Sequence, residues 1–407
     1  MLFSSIDLAP QLQRALQECG YDKMTPIQEQ AIIPARRGKD ILANAQTGTG
    51  KTAAFSVPVL QLLHDRPATL QPNRPRALIL TPTRELAEQL GQAISGYAKY
   101  LPIKVQAFFG GVKTSSQVNK LEAGIDVLIS TPGRMLEHLT ACNVSLDQIE
   151  FVVLDEADRM LDMGFAPDVT NILNQSRKKR QTLLFSATVS QGVKELAAKL
   201  LNNHKVISAS RQNATADTVE HVAYPVEESR KADLLAELID HHNWFQVLVF
   251  TSTKAQADAL LKELKLWSIP AALCHGDRSQ GARRRAIADF KSGKTQVLVA
   301  TEIAARGLDI NGLEYVVNFN LPYLAEDYVH RIGRAGRAGN KGQAISFVSR
   351  EEERNLNTIE RLIGSKIKRI KVPGYETSSR EALVKKIAAS SRKIRANKVS
   401  QTKIIRD

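Results

Sequence analysis

The sequence predicts an α/β protein built as two lobes in tandem, each a parallel sheet flanked by helices, ending in a short basic C-terminal tail. Three observations carry that prediction. Apolar, β-rich runs alternate with helical patterns from Ile41 to about Ile207, and a second such series runs from His221 to Phe347. Most of these runs are continuously apolar rather than alternating, the pattern of strands buried on both faces of a sheet. A glycine-rich stretch, Ala45-Gln46-Thr47-Gly48-Thr49-Gly50-Lys51-Thr52, stands between an apolar run and a helix start.

At 407 residues the chain is long enough for two or more domains. Its 43% hydrophobic content supports sizeable cores. No apolar run approaches the ~18 residues that span a bilayer, and no basic segment precedes an apolar one at Met1–Asp7, so neither a membrane span nor a signal peptide is expected. Cys19, Cys142 and Cys274 lie far apart without metal-ligand spacing, which points to a reducing, cytoplasmic setting. The net charge is +14, and Ser365–Asp407 holds 13 Lys and Arg against 3 acidic residues, a balance of +10. A basic tail on a weakly basic body suggests a polyanionic partner, nucleic acid before membrane. A solvated tail that serves solubility is the alternative.

In the first lobe, 1–207, the strand candidates are Ile41–Ala43, Ala77–Thr81, Val105–Phe109, Val127–Ser130, Phe151–Leu154 and Thr182–Ser186. The stretch after Ile41–Ala43 has the makings of a phosphate cradle. Gly48 and Gly50 let the backbone close on a polyphosphate, Lys51 can reach its β- and γ-phosphates, and the Thr52 hydroxyl can ligate Mg²⁺. Ala45 stands where the strict pattern has Gly. Upstream, Thr25-Pro26-Ile27-Gln28 offers a glutamine amide that suits the N6/N7 edge of adenine, although an isolated Gln is also an ordinary surface residue. Downstream, the apolar Val152-Val153-Leu154 runs into Asp155-Glu156-Ala157-Asp158. There Asp155 can hold Mg²⁺ and Glu156 can orient the attacking water. An acidic helix cap is the bland alternative, and the pairing with Lys51-Thr52 in one α/β series favours the catalytic reading.

A polar stretch at 208–219 reads as a linker. The second lobe, 220–372, has strand candidates His221–Pro225, Val247–Thr251, Ala271–Cys274, Val297–Thr301, Tyr315–Asn318 and Ala344–Phe347. It carries His330-Arg331-Ile332-Gly333-Arg334-Ala335-Gly336-Arg337. Arg334 and Arg337 are three apart and would share a face on a helical turn, where guanidinium groups can stabilise transition-state charge on a γ-phosphate. Glycines between the arginines are unusual for a merely solvated helix, each costing about 1 kcal/mol relative to Ala. The extension 373–407 is Ser-, Lys- and Arg-rich. It reads as a tether for a polyanionic partner, which the resemblance given next implies is RNA, or, alternatively, as an amphipathic helix with Leu383, Ile387 and Ile394 on one stripe.

With these motifs in view, the chain closely resembles the DEAD-box family of ATP-dependent RNA helicases over residues 3 to about 348, and Asp155-Glu156-Ala157-Asp158 spells the family's name. The resemblance implies two RecA-like lobes that close on ATP and single-stranded RNA, separating short duplexes and remodelling ribonucleoproteins. It implies adenine recognition by Phe3, Tyr21, Thr25 and Gln28, phosphate and Mg²⁺ binding by Gln46 to Thr52 with Asp155, and ribose contact by Asp309. Asp158, Ser186 and Thr188 would couple hydrolysis to unwinding. RNA contacts are implied for Pro82, Thr83, Arg84, Gly110, Gly111, Thr131, Pro132, Gly133, Arg134, Gln280, Arg283 and Thr301. His330 matches a histidine bridging the lobes, and Arg334 and Arg337 match arginine fingers. The family's cradle commonly begins with Ala, which accounts for Ala45. Glu302 and Asn320 stand where Asp is common, and Ala335 where Thr is common. The short N-terminus, Gln246–Thr251 and Val372–Glu376 look most like the RhlE-like bacterial branch, which implies ribosomal RNA or RNA-decay partners. A clamp that holds RNA without separating strands, and a DNA helicase, are the competing readings.

Overall fold

The computed structural model describes residues 1–46, 48–208, 219–305, 310, 312–336 and 342–375. The chain divides into two compact units. In the first, seven strands form one parallel sheet: β1 Ile41–Asn44, β2 Ala77–Leu80, β3 Val105–Phe108, β4 Val127–Ser130, β5 Phe151–Leu154, β6 Gln181–Ser186 and β7 Lys205–Ser208, in the order β3-β4-β2-β5-β6-β1-β7. Alternate residues of one strand feed opposite layers. On β5, Phe151 and Val153 join one core, while Val152 and Leu154 join the other. That double burial is why the run is continuously apolar, and each such side chain contributes about 1.5–3 kcal/mol relative to exposure.

The second unit repeats the plan. Its strands are β8 Val219–Pro225, β9 Val247–Thr251, β10 Ala271–Cys274, β11 Val297–Thr301, β12 Tyr315–Asn318, β13 Gly342–Val348 and β14 Lys368–Arg369, in the order β10-β11-β9-β12-β13-β8-β14. Adding seven to each strand number of the first sheet gives the second, so the two lobes share one topology. Both are RecA-like parallel sheets flanked by helices, as expected from the sequence.

Twelve of the fourteen strands among the described residues coincide with sequence candidates to within two residues at either end. The two unforeseen ones, β7 and β14, are edge strands. Only Ile207 of β7 is buried, and both residues of β14 are exposed, so neither has an apolar run to announce it. β7 exists because it pairs along the whole of β1, from Ile41↔Lys205 to Asn44↔Ser208. The expected linker, 208–219, lies outside the described residues except for Ser208, which ends β7, and Val219, which opens β8. The extension expected from 373 begins later than its sequence suggests. Tyr375 is buried in the second lobe's core, its ring lies 4.5 Å from the Arg230 guanidinium, and its hydroxyl donates to Glu237 at 2.7 Å.

Candidate active site

In both lobes the motif residues follow the carboxyl ends of the strands, where doubly wound sheets bind ligands. β1 runs into the cradle, which turns directly into helix Lys51–Asp65. Gly48 and Gly50 have φ of 81° and 94°, conformations that cost a side-chain-bearing residue dearly. At Gly50 the requirement is also spatial, since a Cβ would lie 2.4 Å from Gln28 Nε2. Thr49 Oγ1 donates to Gln46 O at 2.7 Å, closing the turn. Thr47 lies outside the described residues.

Gln28 is fully buried, and its amide has work inside the lobe that the sequence did not show. Its Oε1 accepts the Thr25 amide at 2.8 Å, completing the cap of helix Pro26–Arg36, and its Nε2 donates to Gly50 O at 3.2 Å. One N–H and one lone pair remain, enough for the two-point base contact expected of it. Phe3 and Tyr21 meet edge to face at 5.6 Å and line a pocket of about 370 Å³ with Leu2, Ser4, Gln13, Gln17 and Asp22. The chain start is pinned there by Phe3 N donating to Asp22 O and Met24 N to Met1 O.

Asp155 follows β5 and faces the cradle, with Lys51 Nζ 3.8 Å from its Oδ1. Both side chains are almost fully buried. Burial pushes the Asp155 carboxyl up to about 6, against the opposing pull of the Lys51 charge. The next residue, Glu156, has φ 56° and ψ 53°, a left-handed conformation worth about 1–3 kcal/mol of strain in a non-glycine residue. It opens helix Ala157–Asp162, while its amide donates to Asp155 Oδ1 at 3.1 Å. Asp158, one turn on, is tied to the end of β6. Its Oδ2 accepts Thr188 N and Oγ1 at 2.8 and 2.9 Å, its amide donates to Ser186 Oγ at 3.2 Å, and Ser186 Oγ donates to Thr188 O at 2.7 Å.

The residues expected to grip RNA in the first lobe gather at neighbouring strand ends. Thr83 caps helix Arg84–Tyr97, its Oγ1 accepting Leu86 N at 3.3 Å. Arg84 is exposed and lies against Gly110, where a Cβ would stand 3.1 Å from its Nη2. Gly111 and Gly133 are exposed, and Gly133 lies in the first turn of helix Pro132–Thr140, after Thr131, where backbone amides suit a phosphate. Pro82 is buried. Arg134 points inward, donating to Thr114 Oγ1 at 2.7 Å and Val112 O at 3.3 Å.

In the second lobe Gln280 and Arg283 share one face of the first turn of helix Gln280–Lys291, capped by Ser279, and Thr301 ends β11. Of the expected pair Arg334 and Arg337, the described residues include Arg334. Arg334 lies just past helix Ala325–Ile332 on one tighter turn, its amide donating to Arg331 O at 3.1 Å and Ala335 N to Ile332 O at 2.8 Å. Its carbonyl accepts Leu313 N at 3.1 Å, and Ala335 bridges to Leu313, so long-range pairing replaces the next turn. Gly342 permits this, since a Cβ there would come within 2.2 Å of Gly336 N. Arg337 and Asp309 lie outside the described residues. His330 is half-buried on the helix.

A hub that the sequence did not reveal surrounds Arg331. Its guanidinium pairs with the Glu302 carboxylate, donates to Asn318 Oδ1 at 3.1 Å and Asn320 O at 2.7 Å, and lies 4.9 Å from the Phe250 ring centre. The two departures Glu302 and Asn320 therefore meet at one side chain. Asn320 Nδ2 also donates to Glu228 Oε1 at 3.0 Å, a bond an aspartate carboxylate has no proton to make.

Known families match in both lobes: DEAD/DEAH box helicase over residues 25–196 and the helicase conserved C-terminal domain over residues 230–339. The chain is 41% identical over 370 residues to the ATP-dependent RNA helicase RhlB of Pseudomonas syringae pv. tomato, covering 90% of this chain and 93% of that protein. It is 38% identical to the DEAD-box ATP-dependent RNA helicase CshA of Bacillus cereus, covering 91% of this chain and 70% of the other. Among solved structures, S. cerevisiae Dbp5 bound to RNA and ADP BeF3 matches with TM-score 0.78 and 31% identity over 91% of this chain and 95% of that one. These relatives carry names other than the expected RhlE-like branch, while the family is the same. The chain belongs to the DEAD-box family of ATP-dependent RNA helicases, which are ATP-hydrolysing enzymes.

Proposed function

We propose that ATP hydrolysis at the Lys51–Asp155–Glu156 site, stimulated by RNA, drives local separation of short RNA duplexes and remodelling of ribonucleoproteins. The observation that carries this is the burial of Lys51 and Asp155 3.8 Å apart, with the strained Glu156 next in the chain. Lys51 meets the β- and γ-phosphates, and Glu156 orients the attacking water and takes up its developing proton charge. Arg334 and Arg337 from the second lobe offset charge on the transferring phosphoryl group. Phe3, Tyr21, Thr25 and Gln28 hold the adenine, and Asp309 the ribose.

The donor set suits a hard divalent cation. The Thr52 hydroxyl and Asp155 carboxylate are oxygen ligands, and Asp155 is buried at the cradle beside Lys51. Mg²⁺ held there would neutralise phosphate charge. Exposed Arg84 and the backbone at Gly110, Gly111 and Gly133 grip RNA phosphates and sugars without reading bases, which supports broad RNA use. Cytoplasmic location and ribosomal RNA or RNA-decay targets belong to the same proposal, supported by the thiol pattern and the family resemblance.

Glu156→Gln tests the chemistry. That protein should bind ATP and RNA while its turnover falls at least about 100-fold, since only water activation is damaged. Turnover near the wild-type rate would remove Glu156 from the reaction. Strand displacement tests the outcome, and RNA retained on a nonhydrolysable analogue without displacement would favour the clamp.

A further inference from the structure

Two buried side chains one turn apart on helix Pro132–Thr140 reach the Gly110–Gly111 backbone from its two ends. Arg134 Nη2 donates to Val112 O, just after the glycines, at 3.3 Å, and Nη1 donates to Thr114 Oγ1 at 2.7 Å. His138 works through Gln117. His138 Nε2 lies 2.9 Å from Gln117 Oε1, and Gln117 Nε2 donates to Phe109 O, just before the glycines, at 3.2 Å. Asn143 Nδ2 lies 3.4 Å from His138 Nδ1. An amide N–H only donates, so Nδ1 accepts and the Nε2 proton points at Gln117. That is a neutral imidazole, in keeping with burial and the nearby Arg134 charge, which hold its pKa below the usual histidine value.

The Arg134 guanidinium also faces Glu137, with Nε 3.2 Å from Oε2, and its side chain is 7% exposed. Its donors are taken by Val112, Thr114 and Glu137, so turning out to meet a ligand would break several bonds at once. Gly111 has φ 84°, and a glycine pair has no side chains to fix its own backbone. Such a loop reaches a binding-ready shape only if something outside it supplies the restraint, and prior restraint lowers the entropy lost on binding.

We propose that Gln117, His138 and Arg134 are positioning residues that hold the Gly110–Gly111 backbone in the shape RNA requires, without touching RNA themselves. This rests on the reading of Gly110–Gly111 as an RNA contact. It assigns Gln117 and His138 a role that no motif gives them, and moves Arg134 from contact to support.

The test uses the full-length protein with Gln117→Met, His138→Phe and His138→Gln. The first two keep bulk and lose the hydrogen bonds to the loop. The third restores an amide donor near the position of Nε2. Two quantities are read: the RNA concentration for half-maximal ATPase against kcat at saturating RNA, and hydrogen exchange of amides 109–113 without RNA. Gln117→Met and His138→Phe should raise the half-maximal RNA concentration about tenfold, with kcat held within about twofold, and speed exchange in the loop. His138→Gln should recover most of both. Should Gln117→Met fail to fold, His138→Phe keeps a ring against Phe108, 5.4 Å away in the structure, and decides alone. Unchanged exchange would overturn the brace. Faster exchange with unchanged RNA dependence would overturn its part in binding, because the loop would then carry no RNA contact.

Discussion

The Asp158 carboxylate accepts two hydrogen bonds from one residue, Thr188, through its amide at 2.8 Å and its hydroxyl at 2.9 Å. Asp158 follows β5, two residues after the proposed water-orienting Glu156, and Thr188 follows β6. The segments that follow β5 and β6 are thus tied through one carboxylate, with Ser186 bridging the same two residues, and we propose that this tie couples hydrolysis to strand separation.

Thr188→Val removes the hydroxyl while preserving shape. A hydrogen bond to a charged group contributes about 1.5–3 kcal/mol. Duplex displacement should slow at least about tenfold, with ATPase at saturating RNA staying within about threefold. Running both assays on one preparation decides it. Parallel losses in the two would place Thr188 in hydrolysis itself rather than in coupling.

Gln28 ties the proposed base reading to the fold. Gln28→Glu keeps an acceptor for Thr25 N but has no donor for Gly50 O or for a base, whereas Gln28→Ala removes both internal bonds. Wild type should prefer ATP over GTP, and both variants should lose about 5- to 150-fold of that preference, the value of a two-point base contact. Both variants should also melt lower, by about 2–8 °C, the Ala protein by leaving two buried partners unmatched and the Glu protein by setting a buried carboxylate against Gly50 O. Equal use of ATP and GTP by the wild type would refute adenine reading at this position.

What the sequence made legible follows from what burial writes into it. Strands covered on both faces, such as Val152 to Leu154 on β5, must be apolar at every position, so their ends could be placed closely. β7 and β14 are stabilised by pairing with β1 and β8, and hydrogen bonding to a neighbour leaves no apolar signature. The shared strand order of the two lobes is topological and equally silent. At Arg334, spacing alone suggested a continuing helix. Whether it continues was settled by Leu313, a residue 21 positions upstream, whose backbone takes the bonds the next turn would have used. Gln117 and His138 escaped notice for a related reason: a glutamine and a histidine 21 residues apart mean nothing until α-helical and strand geometry brings them to 2.9 Å.

The first lobe alone tests the need for the second. A fragment ending at 207 would cut β7 short, because Ser208 is its last paired residue, so residues 1–208 are the better unit. It holds the cradle, Asp155 and Glu156 but lacks Arg334 and Arg337. It should fold with a cooperative melt yet show negligible RNA-stimulated ATPase, since arginine fingers contribute about 10³–10⁵ in rate. If the fragment matched the whole chain, Arg334 and Arg337 would be structural residues.

The basic tail calls for two truncations, because its anchor and its charge part company at Tyr375. Cutting after Val372 removes a buried ring and its interactions with Arg230 and Glu237. That protein should melt lower, by roughly the loss of a buried aromatic, about 3–5 kcal/mol if the site cannot collapse. Cutting after Tyr375 keeps the anchor and every proposed phosphate-handling residue, so melting and RNA-free ATPase should be unchanged. It removes Arg380, Lys385, Lys386, Arg392, Lys393, Arg395, Lys398, Lys403 and Arg406, all outside the described residues. If several of these meet RNA phosphates, affinity should fall and its salt dependence should flatten. On single strands the log–log slope should drop by about 0.7 for every phosphate the truncated protein no longer neutralises. Substrates with a flanking duplex or loop should suffer more than a bare short duplex, because a tether acts beside the site of separation and not within it. Affinity measured at two salt concentrations, for both truncations and the full chain, separates the outcomes. An unchanged slope with a lower Tm after the Tyr375 cut would reverse the assignment, making Leu383, Ile387 and Ile394 a packing stripe and the tail part of the second lobe.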